Sequence, residues 1–324
     1  MRTNIVINAD CLEYMKTLPN KSIDLVLTDP PYFGIVKDER DNQRENREKF
    51  IDWLEECTKE WKRILKDNGS LYIFWDDKII AYVQVMIDKY FKLENSIVRY
   101  KPNNMTIKGW NQFRSYATVT ERLLFYSYWE WNNICDITQE QKNMIQPILD
   151  YMIQEKDKIK KLKWFNETMF SEYINNITDT SNVVSRHYFT YSQRSFATEE
   201  LYKKLQTTCF FQKPYEELRR EYEELRRPFN PKSNYTDVRK FDIITQAESK
   251  QADHPTQKPI NIIKRIIDTS SKEWDIVLDC FAWSWTTGVA CKELWRNYIL
   301  IEKEKKYCDI IEKRLKHTTV SLFH

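Results

Sequence analysis

An apolar run, Ile23-Asp24-Leu25-Val26-Leu27-Thr28, stops abruptly at Asp29-Pro30-Pro31-Tyr32. So short a run, rich in branched side chains and closed by prolines, reads as a strand buried on both faces of a parallel sheet. Neither proline carries an N–H with which to continue a central ladder. The strand therefore ends at Asp29, where the carboxyl ends of an open α/β sheet form a crevice.

Strand and helix signals alternate around it. Residues 4–8 read as a strand, and Asp10 can cap a helix starting at Cys11. Phe50, Trp53, Leu54, Cys57, Trp61, Ile64 and Leu65 recur at helical spacing until Asn68-Gly69, which should stop the helix; Leu71-Tyr72-Ile73-Phe74 is the next strand. A helix over about 78–90 and strands near 95–101 and 119–127 continue the series. The expected fold is α/β, a doubly wound, mostly parallel sheet. Residues 36–48 read as a charge-rich loop beside Asp29, and the polar stretch 101–114 offers Lys101, Lys108 and Arg114 to phosphates.

Each residue of the tetrapeptide suits the exocyclic amine of a nucleobase. Asp29 accepts from an NH2 group, Pro30 and Pro31 stiffen the backbone so that the Pro30 carbonyl accepts the second N–H, and Tyr32 stacks on the ring. A plain Asp-Pro turn is the bland alternative for a shorter string.

Residues 130–250 break the alternation. Gln139–Lys163 reads as a long polar helix with Met144, Ile148 and Met152 on one face. Residues 165–189 read as a helix to about Ile174, a turn through 175–180 and a second helix from Ser181. That spacing fits either a helix-turn-helix or two packing helices. Residues 214–227 form an amphipathic spacer helix with Tyr215, Leu218, Tyr222 and Leu225 on one stripe.

Charge and cysteines bound the setting. A net charge of +3 leaves any nucleic-acid surface local. Seven cysteines without metal-type spacing fit reduced thiols, and no apolar run approaches a membrane span, so a cytoplasmic, metal-free protein without membrane partners is expected.

The C-terminal part is a nucleoside-binding layout. His254-Pro255-Thr256-Gln257-Lys258-Pro259 precedes an amphipathic helix; the strand Ile276–Asp279, a turn over Cys280–Thr287, a helix and the strand Tyr298–Glu302 follow. An acid closing the second strand suits ribose hydroxyls.

These three motifs, in this order, resemble the β-class DNA amino-methyltransferases, enzymes that methylate adenine N6 or cytosine N4 in DNA. The resemblance covers about two thirds of the chain. It implies a Rossmann-like methyltransferase fold with circularly permuted motifs: a catalytic half over 1–129, an inserted, mainly helical target-recognition region over 130–250, and a cofactor half over 251–324. It implies that Asp29, Pro30, Pro31 and Tyr32 hold the flipped base. S-adenosylmethionine would be bordered by Asp10 and Lys258, held by Asp279, Phe281, Thr286 and Thr287, and bound at the ribose by Glu302. Double-stranded DNA is the implied partner, with room for a cognate restriction endonuclease and a homodimer. Asp at the first motif position favours adenine N6 over cytosine N4. A protein or RNA methyltransferase is the weaker relative, because those begin the tetrapeptide with Asn.

One departure bears on activity. The family turn after the first cofactor strand is Phe-x-Gly-x-Gly, and here Trp283 and Trp285 stand at the glycines. Trp274 and Trp295 also fall where the family has glycine, in a chain with four glycines and eleven tryptophans against a usual glycine share of roughly 7%. A UGA codon read as glycine by the source but written as tryptophan would account for this, and Trp75 and Trp129 are further candidates. Trp53 and Trp61 sit on an apolar helix face and are expected to be genuine. The rivals are a dead DNA-binding homologue and a disabled variant.

Overall fold

The computed structural model describes residues 1–31, 47–75, 79–100, 120–128, 146–178, 188–190, 196–225, 227–230, 238–240, 258–283 and 286–318. They form two compact units, Met1–Glu130 with Pro228–His324, and Trp131–Arg227.

The first unit is built on strands β1 (Ile5–Asn8), β2 (Ile23–Thr28), β3 (Leu65–Trp75), β4 (Phe91–Tyr100) and β5 (Thr120–Tyr128), with helices α1 (Cys11–Met15), α2 (Arg47–Ile64) and α3 (Ile80–Ile87) between them. The second unit holds α4 (Gln146–Lys163), α5 (Glu167–Thr178), α6 (Glu199–Gln206) and α7 (Tyr215–Leu225). The chain then returns to the first with β6 (Val238–Lys240), α8 (Ile260–Ser270), β7 (Ile276–Asp279), α9 (Thr286–Glu293), β8 (Asn297–Glu302) and α10 (Lys305–His317).

The eight strands form one sheet in the order β1-β8-β7-β2-β3-β5-β4-β6. Two apolar clusters cover its faces. Val26, Leu71, Ile73, Tyr126, Leu278 and Ile299 pack with α1, α2 and α3; their strand neighbours Leu25, Leu27, Tyr72, Phe125, Val277 and Leu300 pack with α8, α9 and α10. Successive side chains of a strand point to opposite faces, so near-continuous apolar strands demand helices on both sides. Burial of a side chain such as Leu27 contributes about 1.5–3 kcal/mol. The doubly wound sheet expected from the sequence is the one observed.

Four local expectations are corrected. Strand β5 runs antiparallel to both β3 and β4, between which it lies. Asn68-Gly69 lies inside β3 and does not stop a helix: α2 ends at Ile64, and the extra residues form an irregularity where the register steps from Ile23↔Leu65 to Leu25↔Ser70. Glycine suits that step because a Cβ at Gly69 would come within 2.6 Å of Leu65 Cγ. Strand β6 pairs with β4, so the sheet claims Val238–Lys240 from the expected 130–250 insert.

The fourth concerns the second unit. Helix α5 continues to Thr178 through residues expected to turn, with Phe170, Ile174 and Thr178 buried along one stripe. The expected second helix from Ser181 lies outside the described residues, as do residues 36–46, 101–119 and 139–145. The unit has its own core, in which Ile148, Ile159, Phe170, Ile174, Tyr202 and Leu218 are buried together. Among the described residues no helix is long and apolar enough to cross a membrane.

Candidate active site

Strands β2 and β7 lie side by side, in the register Leu25↔Val277 and Val26↔Leu278. From β7 the chain crosses through α9 to β8 on one side; from β2 it crosses through α2 to β3 on the other. The carboxyl ends of two neighbouring strands from which the chain departs in opposite directions leave a crevice at the topological switch point. Asp29 follows β2 and Asp279 ends β7 at this place.

Side chains tie the two ends together. The Thr28 hydroxyl donates to Asp279 Oδ1 at 3.3 Å, and the Thr287 hydroxyl donates to Oδ2 at 2.7 Å. The Phe281 N–H donates to Asp279 Oδ1 at 3.2 Å. Below the turn, the buried Trp61 indole N–H reaches Cys280 Sγ at 3.3 Å, and Trp53 packs on Phe281 with ring centroids 5.5 Å apart. The apolar face of α2 thus seats the turn after β7.

A narrow cleft, with a free volume of about 10 Å³, lies here, lined by Asp29, Lys258, Asp279, Phe281, Trp283 and Thr287 among others. All six come from the three motifs singled out in the sequence. Of the rest, Pro30 is buried beside Asp29, Pro31 is half-buried, and the buried Thr286 hydroxyl donates to the Lys258 carbonyl at 3.4 Å. Asp10 caps α1, accepting from the Leu12 N–H at 2.9 Å. Glu302 ends β8 and accepts from the Glu304 N–H at 2.7 Å. Asp10 and Glu302 do not line the cleft but follow adjacent strands, Asn8 being registered with Glu302. Tyr32, Trp285 and His254–Gln257 lie outside the described residues.

Lys258 is expected at the border of the cofactor; the structure commits its ammonium to Asp29. Its Nζ is 2.7 Å from Asp29 Oδ2 and 3.2 Å from Glu121 Oε1. Glu121 Oε2 in turn accepts from Arg99 Nη1 at 2.7 Å, the two being directly paired across β4 and β5. Arg99, Glu121 and Lys258 are all buried. Buried charges persist only when paired, and here two cations alternate with two carboxylates. Sequence reasoning misses Glu121 and Arg99, whose only signal is a pair of charges on otherwise apolar strands.

The electrostatics follow from burial and these neighbours. Desolvation would lower the Lys258 pKa, but the carboxylates of Asp29 and Glu121 outweigh it and the ammonium is held above its ordinary range. Asp279 is pushed up to about 7 by burial, against the pull of Thr287 and the Phe281 N–H and with a further push from the Asp29 charge. The cleft therefore offers one carboxylate held by a cation and one poised near neutrality.

Comparison with known proteins agrees with this geometry. A family model described as DNA methylase matches residues 23–313. The type II methyltransferase M.HinfI of Haemophilus influenzae is 28% identical over 334 residues, covering 97% of this chain and 68% of that protein. The DNA adenine methyltransferase YhdJ of Escherichia coli K12 is 26% identical over 319 residues, covering 96% and 82%. The crystal structure of an M1.HpyAVI–SAM complex superposes with a TM-score of 0.53 at 20% identity, covering 96% of this chain and 98% of that one.

Proposed function

Because the chain belongs to the DNA methylase family, we propose that it is a site-specific DNA methyltransferase that moves a methyl group from S-adenosylmethionine to N6 of adenine. The observation that carries this reading is the cleft at the β2/β7 switch point, which gathers Asp29, Lys258, Asp279, Phe281 and Thr287 from three separate stretches of the chain. YhdJ, an adenine enzyme by name, supports adenine over cytosine, as does Asp at the head of the tetrapeptide.

The fit of the residues to the cofactor is uneven. Asp279 and Glu302 at strand ends, with Thr287 at the start of α9, suit a nucleoside with an amino-acid tail. Trp283 does not: it lines a cleft whose free volume is only about 10 Å³, against the roughly 300–1,000 Å³ usual for such ligands. When bound, S-adenosylmethionine supplies an electrophilic methyl group.

The chain's own residues supply the nucleophile's setting. Asp29 Oδ and the Pro30 carbonyl accept the two N–H bonds of the target amine, which orients its lone pair and stabilises positive charge as it grows there. Flipping the base costs a few kcal/mol, offset in part by stacking on Tyr32. Lys258 holds Asp29 in place before the base arrives. The unit Trp131–Arg227, with its own core, is our assignment for target recognition. The type II designation of M.HinfI supports a restriction-modification setting in the cytoplasm, with a cognate endonuclease.

The test is nucleoside analysis by mass spectrometry after incubating unmethylated genomic DNA with S-adenosylmethionine and the protein, both with tryptophan and with glycine at 283 and 285. N6-methyladenine supports the reading, N4-methylcytosine replaces the substrate, and DNA binding without any methylated base leaves a dead homologue.

A further inference from the structure

We infer that the working protein carries glycine, not tryptophan, at positions 164, 274, 283 and 295, its gene spelling each with a UGA codon that the source reads as glycine. For Trp283 this rests on the proposed cofactor site. For the other three it rests on backbone geometry alone.

Among the described residues six non-glycine residues have positive φ, and three of them are Trp164 (57°), Trp274 (69°) and Trp295 (59°). A bulky side chain in this region crowds its own carbonyl, whereas glycine enters it freely. Neither described glycine uses that freedom: Gly69 lies in β3 and Gly288 in α9, where a Cβ would come within 2.6 Å of a leucine atom. Half of these left-handed positions are thus filled by a residue poorly suited to them.

Each of the three sits in a turn whose hydrogen bonds hold the φ. Helix α4 ends at Lys163, and the Phe165 N–H donates back to the Lys160 carbonyl at 2.9 Å. That bond closes a helix C-cap in which the intervening residue, here Trp164, is left-handed and usually glycine. At the amino ends of β7 and β8, the Trp274 N–H donates to the Trp295 carbonyl at 2.8 Å, and the Asn297 N–H donates to the Asp275 carbonyl at 2.9 Å. Asn297 Nδ2 also donates to the Trp274 carbonyl at 2.6 Å.

Their side chains do little that would justify the strain. Trp164 is 90% exposed and Trp274 65% exposed. The Trp274 and Trp295 rings meet edge to face, with centroids 6.0 Å apart. Trp53, Trp61 and Trp75 behave oppositely: they lie in α2 and β3 with ordinary backbone, Trp61 and Trp75 are fully buried, and Trp75 packs 5.9 Å from Phe50. Trp75, a candidate for misreading on sequence grounds, is therefore a genuine core residue. Among the described tryptophans, Trp164, Trp274 and Trp295 are thus left-handed turn residues, whereas Trp61 and Trp75 are core residues.

The coding triplets decide the matter independently of catalysis. UGA at 164, 274, 283 and 295, with UGG at 53, 61 and 75, is the expected result; UGG at 164, 274 or 295 overturns the inference. Peptide masses of the protein from its native cells distinguish the same two outcomes. Thermal melts of the full chain supply a second check. W164G, W274G and W295G should hold or raise the melting temperature by a few degrees, whereas W61G lowers it. A loss at 274 and 295 as large as that at 61 would show that these indoles are built into the fold.

Discussion

Lys258 Nζ lies 2.7 Å from Asp29 Oδ2, across 229 residues of chain, with side-chain exposures of 5% and 14%. The contact joins the turn before α8 to the end of β2. It makes the two motifs one electrostatic unit.

Replacing the cation removes the ammonium that Asp29 and the buried Glu121 share. Lys258→Met should destabilise the first unit by about 3–5 kcal/mol at pH 8. The loss should shrink as the pH falls and Asp29 takes up a proton. Urea denaturation at pH 8 and pH 5 measures both, and an equal loss at the two pH values would mean that the carboxylate charge of Asp29 is not what the ammonium offsets.

Glu121 competes with Asp29 for the same ammonium. Glu121→Gln removes one of the two carboxylates facing Lys258, so the Asp29 carboxyl should titrate lower than in the parent, as carbon NMR of labelled aspartate reads without cofactor or DNA. In whichever form of the protein transfers methyl groups, kcat should fall about tenfold with the KM for S-adenosylmethionine unchanged, because Asp29 yields less readily to the amine. An effect of the same size in a Lys258→Met background would show that Glu121 does not act through Lys258.

Asp279 gives stability a pH slope. Its carboxyl is pushed up to about 7 by burial, from an ordinary 3.8. Between those values the folded chain binds a proton that the unfolded chain has released. This group's contribution to stability is therefore full at low pH and is lost as the pH rises through about 7, at up to roughly 1.4 kcal/mol per unit. Asp279→Asn removes the slope, so the variant should gain on the parent as the pH is raised from 4 to 7.5 in thermal melts. A constant difference across that range would count against the buried, protonated carboxyl.

Gly288 is a packing glycine. A Cβ there would stand 2.6 Å from Leu300 Cδ1 and 3.1 Å from Leu315 Cδ2. Gly288→Ala should cost about 1–3 kcal/mol by overpacking, and should loosen the start of α9, where Thr286 and Thr287 are held. Chemical denaturation gives the first quantity; the exchange rate of the Thr287 amide gives the second.

Much of this is written locally. Apolar runs at Ile23–Thr28, Leu71–Phe74, Ile276–Asp279 and Tyr298–Glu302 declare buried strands, because a strand covered on both faces must be apolar at consecutive positions. Asp29, Lys258, Asp279, Phe281 and Thr287 are legible because motif, turn and strand end coincide in the chain. The direction of β5, the continuation of α5 to Thr178 and the strand around Asn68-Gly69 are not, because packing overrides local turn preferences.

By itself, the sequence determined which strands are buried, the order of the motifs and the presence of tryptophan in turns where the family it resembles has glycine. Each of these is a property of neighbouring residues. Only the tertiary structure decided that Lys258 serves Asp29, that Arg99 and Glu121 complete the charge chain, and that Trp164, Trp274 and Trp295 are left-handed while Trp61 and Trp75 fill the core. A charge partner or a buried ring depends on which distant segments meet, and the pairing of strands far apart in the chain sets that meeting.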